Sequence, residues 1–303
     1  MNSFLYALLG MLPSILMIVA PILIAAIGGM ICERAGVVNI ALEGLMAFGA
    51  MAAATSHRLL EVQFGVFSVP FALLMAAIVG AVFSLIHAYA SITLKADQVI
   101  SGTGLNLLST GATVFLCQII FRQERTEPFK LGMMPWLGGI YPTAFIALAV
   151  LVVSWFVLYK RPWGLRLRSC GEHPQAAASA GINVIRYRYT AVLISGLLAG
   201  LAGGCLVLTQ TIQYMVTTIN GKGFIALAAV SFGRWLPLGV LGSSLLFGTS
   251  AALAVYIINF ESLKFLPSEF FSLLPYAITL ITLVFFSGKD YAPRASGQPY
   301  EKG

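Results

Sequence analysis

The sequence has few charged residues. Asp, Glu, Lys and Arg make up 10% of its 303 residues, whereas a soluble domain carries about a quarter. Hydrophobic residues make up 59%, and the mean hydropathy is +0.90. This composition excludes an ordinary soluble domain, so we expect an all-α polytopic transmembrane protein that lies in a lipid bilayer.

The residue patterns of P-loop nucleoside triphosphatases and of zinc metalloproteases are also absent. Both lysines that follow a glycine, Lys222 and Lys289, precede Gly223 and Asp290, so there is no phosphate-binding G-x-x-x-x-G-K-[ST] loop. The three histidines do not form H-E-x-x-H, and the four cysteines have neither metal nor disulfide spacing. We therefore predict no enzymatic activity, no metal site and no bound cofactor.

Acidic residues are outnumbered by basic ones, 11 against 18. One segment of 29 residues, 160–188, contains six of the bases and a single acid, Glu172; the bases are Lys160, Arg161, Arg166, Arg168, Arg186 and Arg188. The positive-inside rule places this segment in the cytoplasm. Membrane topology thus explains the excess of basic residues, and we expect no nucleic-acid partner. Pro174, the alanines after it and Gly181 predict a short helix within the segment.

Apolar stretches of near-spanning length predict the membrane helices. They cover residues 5–31, 36–56, 66–94, 99–121, 142–159, 189–212, 237–258 and 266–287. The first has no basic start and is too long for a cleaved signal peptide, so we expect it to be retained. A stretch at 223–233 is too short to cross as a simple helix. We predict eight to ten spans, and the side of the N-terminus depends on that number.

Several polar residues interrupt these spans. Asn39 and Glu43 are four apart and share one face if the segment is helical. A carboxylate in lipid costs roughly 2.5 to 3.5 kcal/mol on insertion scales, so Glu43 is expected to face other helices or a wet cavity. A structural hydrogen bond between helices is an equal alternative for Glu43. Glu33 and Arg34 fit a charged pair at a helix end.

A short internal echo suggests two related halves. Ile225-Ala226-Leu227 repeats Ile40-Ala41-Leu42, and a glycine-flanked, charged stretch lies beside each. Transporters with such repeats often place the substrate route at broken helices near the interface of the halves. Chance similarity of membrane composition is the alternative. A third polar stretch carries two amides, Gln98 and Asn106, that suit a polar solute.

Four stretches resemble one family of proteins. They are Glu33 to Glu43 (ERAGVVNIALE), Lys95 to Asn106 (KADQVISGTGLN), Gly164 to Gly181 (GLRLRSCGEHPQAAASAG) and Gly223 to Gly239 (GFIALAAVSFGRWLPLG). They resemble inner-membrane permeases of bacterial ATP-binding-cassette importers, which take up ribose-like sugars and branched-chain amino acids. The chain is similar to the shorter of the two permeases in nucleoside importers that work with a basic-membrane-protein-type binding lipoprotein.

This resemblance implies a fold and a set of partners. The fold would be a roughly ten-helix bundle with two inverted halves, forming a single transmembrane permease domain over residues 1–303. Glu172, Pro174, Ala177 and Gly181 would belong to a coupling helix that sits in a cleft of a cytoplasmic ATPase, the subunit that binds ATP. The other implied partners are a second, non-identical permease and an extracytoplasmic substrate-binding lipoprotein, in the bacterial inner (cytoplasmic) membrane.

We therefore expect a permease subunit that forms the translocation path for purine or pyrimidine nucleosides. An aromatic ring can stack on a base, and amides or carboxylates can bind ribose hydroxyls. On that basis the predicted path residues are Asn39, Glu43, Gln98, Asn106 and Phe224. The alternatives are a permease for ribose-like sugars or branched-chain amino acids, a homodimer, or an ion-coupled secondary transporter with Glu43 as its ion site.

Overall fold

The apolar runs of the sequence fold into helices. The structure is a computed structural model that describes residues 2–257 and 291–301, and within these ranges it has no strand. The helices are α1 (Asn2–Arg34), α2 (Leu42–Phe64), α3 (Ser68–Ala88), α4 (Gln98–Phe121), α5 (Pro142–Lys160), α6 (Pro162–Glu172), α7 (Pro174–Ser179), α8 (Val184–Leu206), α9 (Lys222–Phe232) and α10 (Pro237–Ile257). The prediction of an all-α polytopic protein is confirmed.

Six segments of the described chain are long and apolar enough to cross a membrane. One of them, Leu42–Thr93, has 52 residues, and a straight helix of that length would span about 78 Å, more than twice the hydrocarbon core. The helix breaks at Gly65, which has φ of 52° and ψ of −128°. Because α2 and α3 pack side by side, this segment folds back and crosses twice.

The described part therefore has seven helices of spanning length: α1 to α5, α8 and α10. α9 has 11 residues and spans about 16 Å, so it is too short to cross, as predicted. The predicted span at 266–287 lies outside the described residues. The total of eight to ten spans stays a prediction.

α1 and α8 lie at the centre of the helix bundle, and most residues of the spanning segments 10–34 and 184–211 are buried. α8 contacts its neighbours backbone to backbone through small residues: a Cβ at Gly49 of α2 would lie only 2.3 Å from the carbonyl oxygen of Gly200. Such close contact is how membrane helices gain van der Waals packing without a hydrophobic driving force. The outer helices instead expose large apolar side chains, such as Leu107 of α4 and Val153 of α5.

The two ends of the bundle differ in composition. At one end, here called the basic end, α6 and α7 lie beside the end of α1 and residues 291–301, and Ala295 N–H donates to the Gly171 carbonyl at 2.9 Å. At the opposite end, residues 122–141 connect α4 to α5 and lie against the chain that follows α8. There Phe129 N–H donates to the Ile212 carbonyl at 3.1 Å and Met133 N–H to the Leu208 carbonyl at 2.8 Å.

The basic segment 160–188 contains more helix than the sequence predicts. The short helix is confirmed as α7, which begins at Pro174 and is followed by Gly181 in the left-handed region (φ 81°). The segment also contains α6, and Glu172 ends α6 rather than belonging to α7. Arg188 is not a surface base, because it lies in α8 and is 1% exposed.

Candidate functional site

The chain between α1 and α2 turns back into the bundle before α2 begins. Gly36 adopts φ of 91°, which favours glycine. Three residues later the fully buried Asn39 donates from its amide to the Ser195 hydroxyl at 2.8 Å and accepts from Ala41 N–H at 3.2 Å. Ser195 is at the midpoint of α8, so α2 begins in the interior of the bundle rather than at its end.

The chain between α8 and α9 enters the bundle from the opposite end. It passes Tyr214, which is buried and donates its hydroxyl to Thr113 of α4 at 2.8 Å. Gly221 has φ of 80° and α9 starts at Lys222. α9 then runs to the basic end, where Trp235 contacts the end of α1. Two half-crossing elements of the described chain therefore approach the interior from opposite ends, namely residues 35–41 before α2 and α9.

These two elements meet at Glu43, in the first turn of α2. Its carboxylate accepts one hydrogen bond from Gly221 N–H and one from Gly223 N–H, both at 2.7 Å. Free N–H groups and the partial positive charge of a helix N-terminus favour an anion at this position. The structural hydrogen bond considered for Glu43 is therefore present, and it joins the two segments that contain the sequence echo.

The two other predicted amides bind the same interrupted segment. Asn106 accepts from Gly44 N–H at 2.8 Å and donates to the Ile40 carbonyl at 3.0 Å. Gln98, which is 4% exposed, accepts from Val38 N–H at 2.7 Å. These side chains thus replace hydrogen bonds that the main chain loses where no helix forms.

The five predicted path residues consequently divide into two groups. Asn39, Glu43, Gln98 and Asn106 surround residues 38–44 and bond to groups of the protein itself. Phe224 lies in the first turn of α9 with its side chain 49% exposed. The structure brings the five together at the start of α2 and α9, and their role as a substrate path stays a prediction.

Sequence reasoning missed two partners of this site. Ser195 binds Asn39, and His87 of α3 contacts the Val38 carbonyl and the Ser101 hydroxyl, both at 3.0 Å. Both are polar residues inside apolar helices, a pattern that marks residues with a structural or functional role in a membrane protein. Their partners lie too far away in the sequence to be identified from spacing.

The predicted coupling residues lie on α6, α7 and the turn after them. Glu172 and Gly181 are exposed and Pro174 is partly exposed, whereas Ala177 is 4% exposed and packs with Cys170 and Val184. Ala177 therefore holds α7 against the bundle, and the role of the four residues in coupling stays a prediction.

A series of side-chain contacts connects segment 160–188 to α9. Glu172 lies 3.7 Å from Arg34 at the end of α1. Arg34 donates to the Trp235 carbonyl at 3.0 Å, and the Trp235 indole donates to Glu33 at 2.5 Å. Glu33 and Arg34 are therefore more than a charged pair at a helix end, because they hold the turn between α9 and α10.

Residues 291–301 lie across the basic end. Arg188 donates to the Gln298 carbonyl at 2.8 Å, and Lys95 pairs with Glu301 at 2.9 Å. Arg234 lies over the ring of Tyr291 at 4.6 Å. This segment thus joins the loop, α8, the start of α4 and the turn after α9.

Comparisons with known proteins give one consistent result. The family described as "Branched-chain amino acid transport system / permease component" matches residues 11–283. The chain is 42% identical over 306 residues to the guanosine ABC transporter permease protein NupQ of Bacillus subtilis, with 96% of each chain covered. It is 40% identical over 296 residues to the nucleoside ABC transporter permease protein NupC of Lactococcus lactis, with 93% of each covered.

A solved structure shares the fold. It is described as an inward-facing conformation of a metal-chelate type ABC transporter, and it aligns with a TM-score of 0.52 over 91% of this chain and 86% of that one. The identity is 16%, so this likeness concerns the arrangement of the helices alone.

Proposed function

The chain belongs to the family of branched-chain amino acid transport system permease components, and from this we propose that it is a permease subunit of an ATP-binding-cassette importer for nucleosides. The proposal of a nucleoside substrate rests on sequence identities of 42% and 40%, over nearly the full length, to permeases named for guanosine and for nucleosides. The chain is a multi-pass membrane protein, and its family implies a partner ATPase.

The proposal extends to the other partners and to the location. The ATPase would bind ATP and contact α7 from the cytoplasm, so the basic end would lie on the cytoplasmic side of a bacterial inner membrane. A second, non-identical permease would complete the path, and an extracytoplasmic lipoprotein would deliver the nucleoside to the opposite end. Co-purification of this chain with two different membrane subunits tests the heterodimer, and a complex that contains two copies of this chain would contradict it.

The geometry supports a mechanical route from the ATPase to the interior. Movement of α7 would reach Arg34 through Glu172, and then the turn at Trp235 through the Arg34 hydrogen bond. That turn ends α9, whose other end binds Glu43. Nucleotide-driven closure of the ATPases would thereby shift the half-crossing element α9 against α2 and open the path alternately to each side.

The hydrogen bonds of Glu43 favour this function over an ion-coupled transporter. A proton or cation at Glu43 would have to compete with hydrogen bonds that the carboxylate already makes. Both Glu43 oxygens accept main-chain N–H groups, and the described residues contain no cluster of His, Cys, Asp and Glu suited to a metal ion.

The coupling role can be tested by substitution in the reconstituted complex. Glu172→Arg and Pro174→Leu should leave the permease folded and inserted, because Glu172 is exposed and Pro174 is partly exposed. Each variant should lose most of the substrate-stimulated ATP hydrolysis and of the uptake of labelled guanosine. Glu124→Arg, a reversal of an exposed acid at the opposite end, serves as the control for ATP hydrolysis. Unchanged transport in both loop variants would remove α7 from the mechanism.

A further inference from the structure

A cleft of about 800 Å³ lies at the basic end, between α6 and the start of α8. Its walls come from α6, the turn after α7 and the first turns of α8. Two arginines, Arg166 and Arg186, line it, and the described residues that line it include no acid. Neither guanidinium has a hydrogen-bond or ion-pair partner in the described part of the chain. Two unpaired cations in an acid-free cleft are suited to an anion.

Other groups in the cleft add to its preference for an anion. α8 begins here, and its cap residue Asn183 accepts from Arg186 N–H at 3.0 Å. The N-terminus of a long helix carries roughly half a positive charge. Ser169 and Thr190 line the same cleft, but their hydroxyls already donate to the Arg166 and Tyr187 carbonyls. The cleft therefore combines two guanidinium groups with a helix N-terminus, a set suited to the oxygens of a phosphate.

The surroundings of the cleft place it at the edge of the hydrocarbon. The rings of Trp163 and Tyr187 lie with their centroids 6.0 Å apart in its wall. Such aromatic residues are enriched at membrane interfaces. Leu165, an apolar residue of the lining next to Arg166, is 63% exposed. An occupant would therefore meet positive charge and apolar surface together.

We propose that this cleft binds the phosphate headgroup of an anionic phospholipid from the leaflet at the basic end. Arg166 and Arg186 contact the phosphate, and an acyl chain lies against Leu165. A soluble phosphate ester shares the charged contacts but makes no use of the apolar residues. Basic pockets between helices at the cytoplasmic surface commonly bind such headgroups. A lipid bound here would stabilise the position of α7, since the turn after α7 forms one wall.

The test uses the assembled transporter, purified and exposed to phosphatidylglycerol or to phosphatidylcholine, with bound lipid measured by native mass spectrometry. Wild type should retain phosphatidylglycerol in preference to phosphatidylcholine. Arg166→Gln and Arg186→Gln should each lower retention roughly fivefold, and the double variant about 25-fold, because one base near a membrane contributes a factor of this size. Arg161→Gln is the matched control, because Arg161 lies just before α6, outside the cleft, and stacks on Phe156. It should retain the lipid.

Three results would overturn the proposal. The first is equal retention of the two lipids by wild type, or unchanged retention of phosphatidylglycerol in the double variant. The second is displacement of the lipid by glycerol phosphate at equal concentration, which would assign the cleft to a soluble phosphate ester. The third is loss of the ATPase from the double variant while lipid retention stays unchanged, which would assign the cleft to the ATPase.

Discussion

The carboxylate of Glu43, in the first turn of α2, accepts a hydrogen bond of 2.7 Å from the main-chain N–H of Gly223, in the first turn of α9. The two residues are 180 positions apart in the sequence. A Cβ at Gly223 would lie 2.5 Å from the Glu43 main chain, so only glycine permits this approach. The contact joins two helix starts inside the bundle, where water does not satisfy main-chain groups.

Glu43→Gln should therefore destabilise the protein as well as reduce transport. The glutamine oxygen can accept one N–H, but its NH₂ group then faces the other N–H. A buried donor left without a partner costs about 1 to 3 kcal/mol, which should appear as a lower thermal midpoint of the purified transporter. Glu124→Gln, at an exposed position, should change neither property. Lost uptake with unchanged stability would favour an ion site at Glu43 instead.

A cysteine at Ser179 tests the orientation of the bundle. Ser179 is exposed, and an impermeant thiol reagent should label Ser179→Cys only after the membrane is broken, because the positive-inside rule predicts that segment 160–188 lies in the cytoplasm. Background labelling should be small, since the four native cysteines are buried. Burial also raises the pKa of the Cys170 thiol in α6 to about 11, so that group stays protonated and unreactive near neutral pH.

The comparison position for this experiment is at the opposite end. Arg125→Cys, also exposed, should be labelled in intact spheroplasts. Labelling of Ser179→Cys in intact spheroplasts would invert the orientation and contradict the proposed contact with a cytoplasmic ATPase.

Trp235→Phe tests the chain of contacts from the loop to α9. Arg234 and Trp235 both have positive φ, 54° and 53°, a conformation that costs non-glycine residues energy and needs support from neighbouring contacts. Phenylalanine keeps the apolar ring but removes the indole N–H bound to Glu33. We expect uptake to fall severalfold while ATP hydrolysis without substrate continues. Trp136→Phe, 67% exposed at the opposite end, is the control, and equal uptake in both variants would exclude this route.

Local features of the sequence were enough to predict parts of the fold. The apolar runs located the spanning helices of the described part, and Pro174 with Gly181 located α7, because both signals act within one or two helical turns. α6 was missed because its sequence, PWGLRLRSCGE, has neither the length nor the apolar content of a span. The sequence groups Arg188 with the exposed bases of segment 160–188, because its charge does not reveal that the distant residues 291–301 cover it.

The contacts of the candidate site could not be predicted in the same way. Polar residues in apolar stretches identified Asn39, Glu43 and Asn106 as unusual, since each carries a cost in lipid. Their partners lie 156 residues away for Asn39, up to 180 for Glu43 and 62 to 66 for Asn106. Spacing along the chain carries no information on such pairs, so a prediction of solute contact and one of structural bonding were equally compatible with the sequence.

The two groups of path residues should respond differently to substitution. Asn39→Leu should lower both uptake and stability, because it removes a buried hydrogen bond to Ser195 and leaves Ala41 N–H without its acceptor. Asn106→Leu should also lower both, because it removes the hydrogen bonds to Gly44 N–H and to the Ile40 carbonyl.

Phe224→Ala should reduce uptake of labelled guanosine severalfold at unchanged stability, since the ring is 49% exposed and is available to stack on a base. Leu238→Ala, which truncates a 70% exposed side chain of α10, is the matched control and should transport normally. Normal uptake by Phe224→Ala would exclude this ring from the path, and loss of uptake in the asparagine variants would then be a consequence of a weakened bundle.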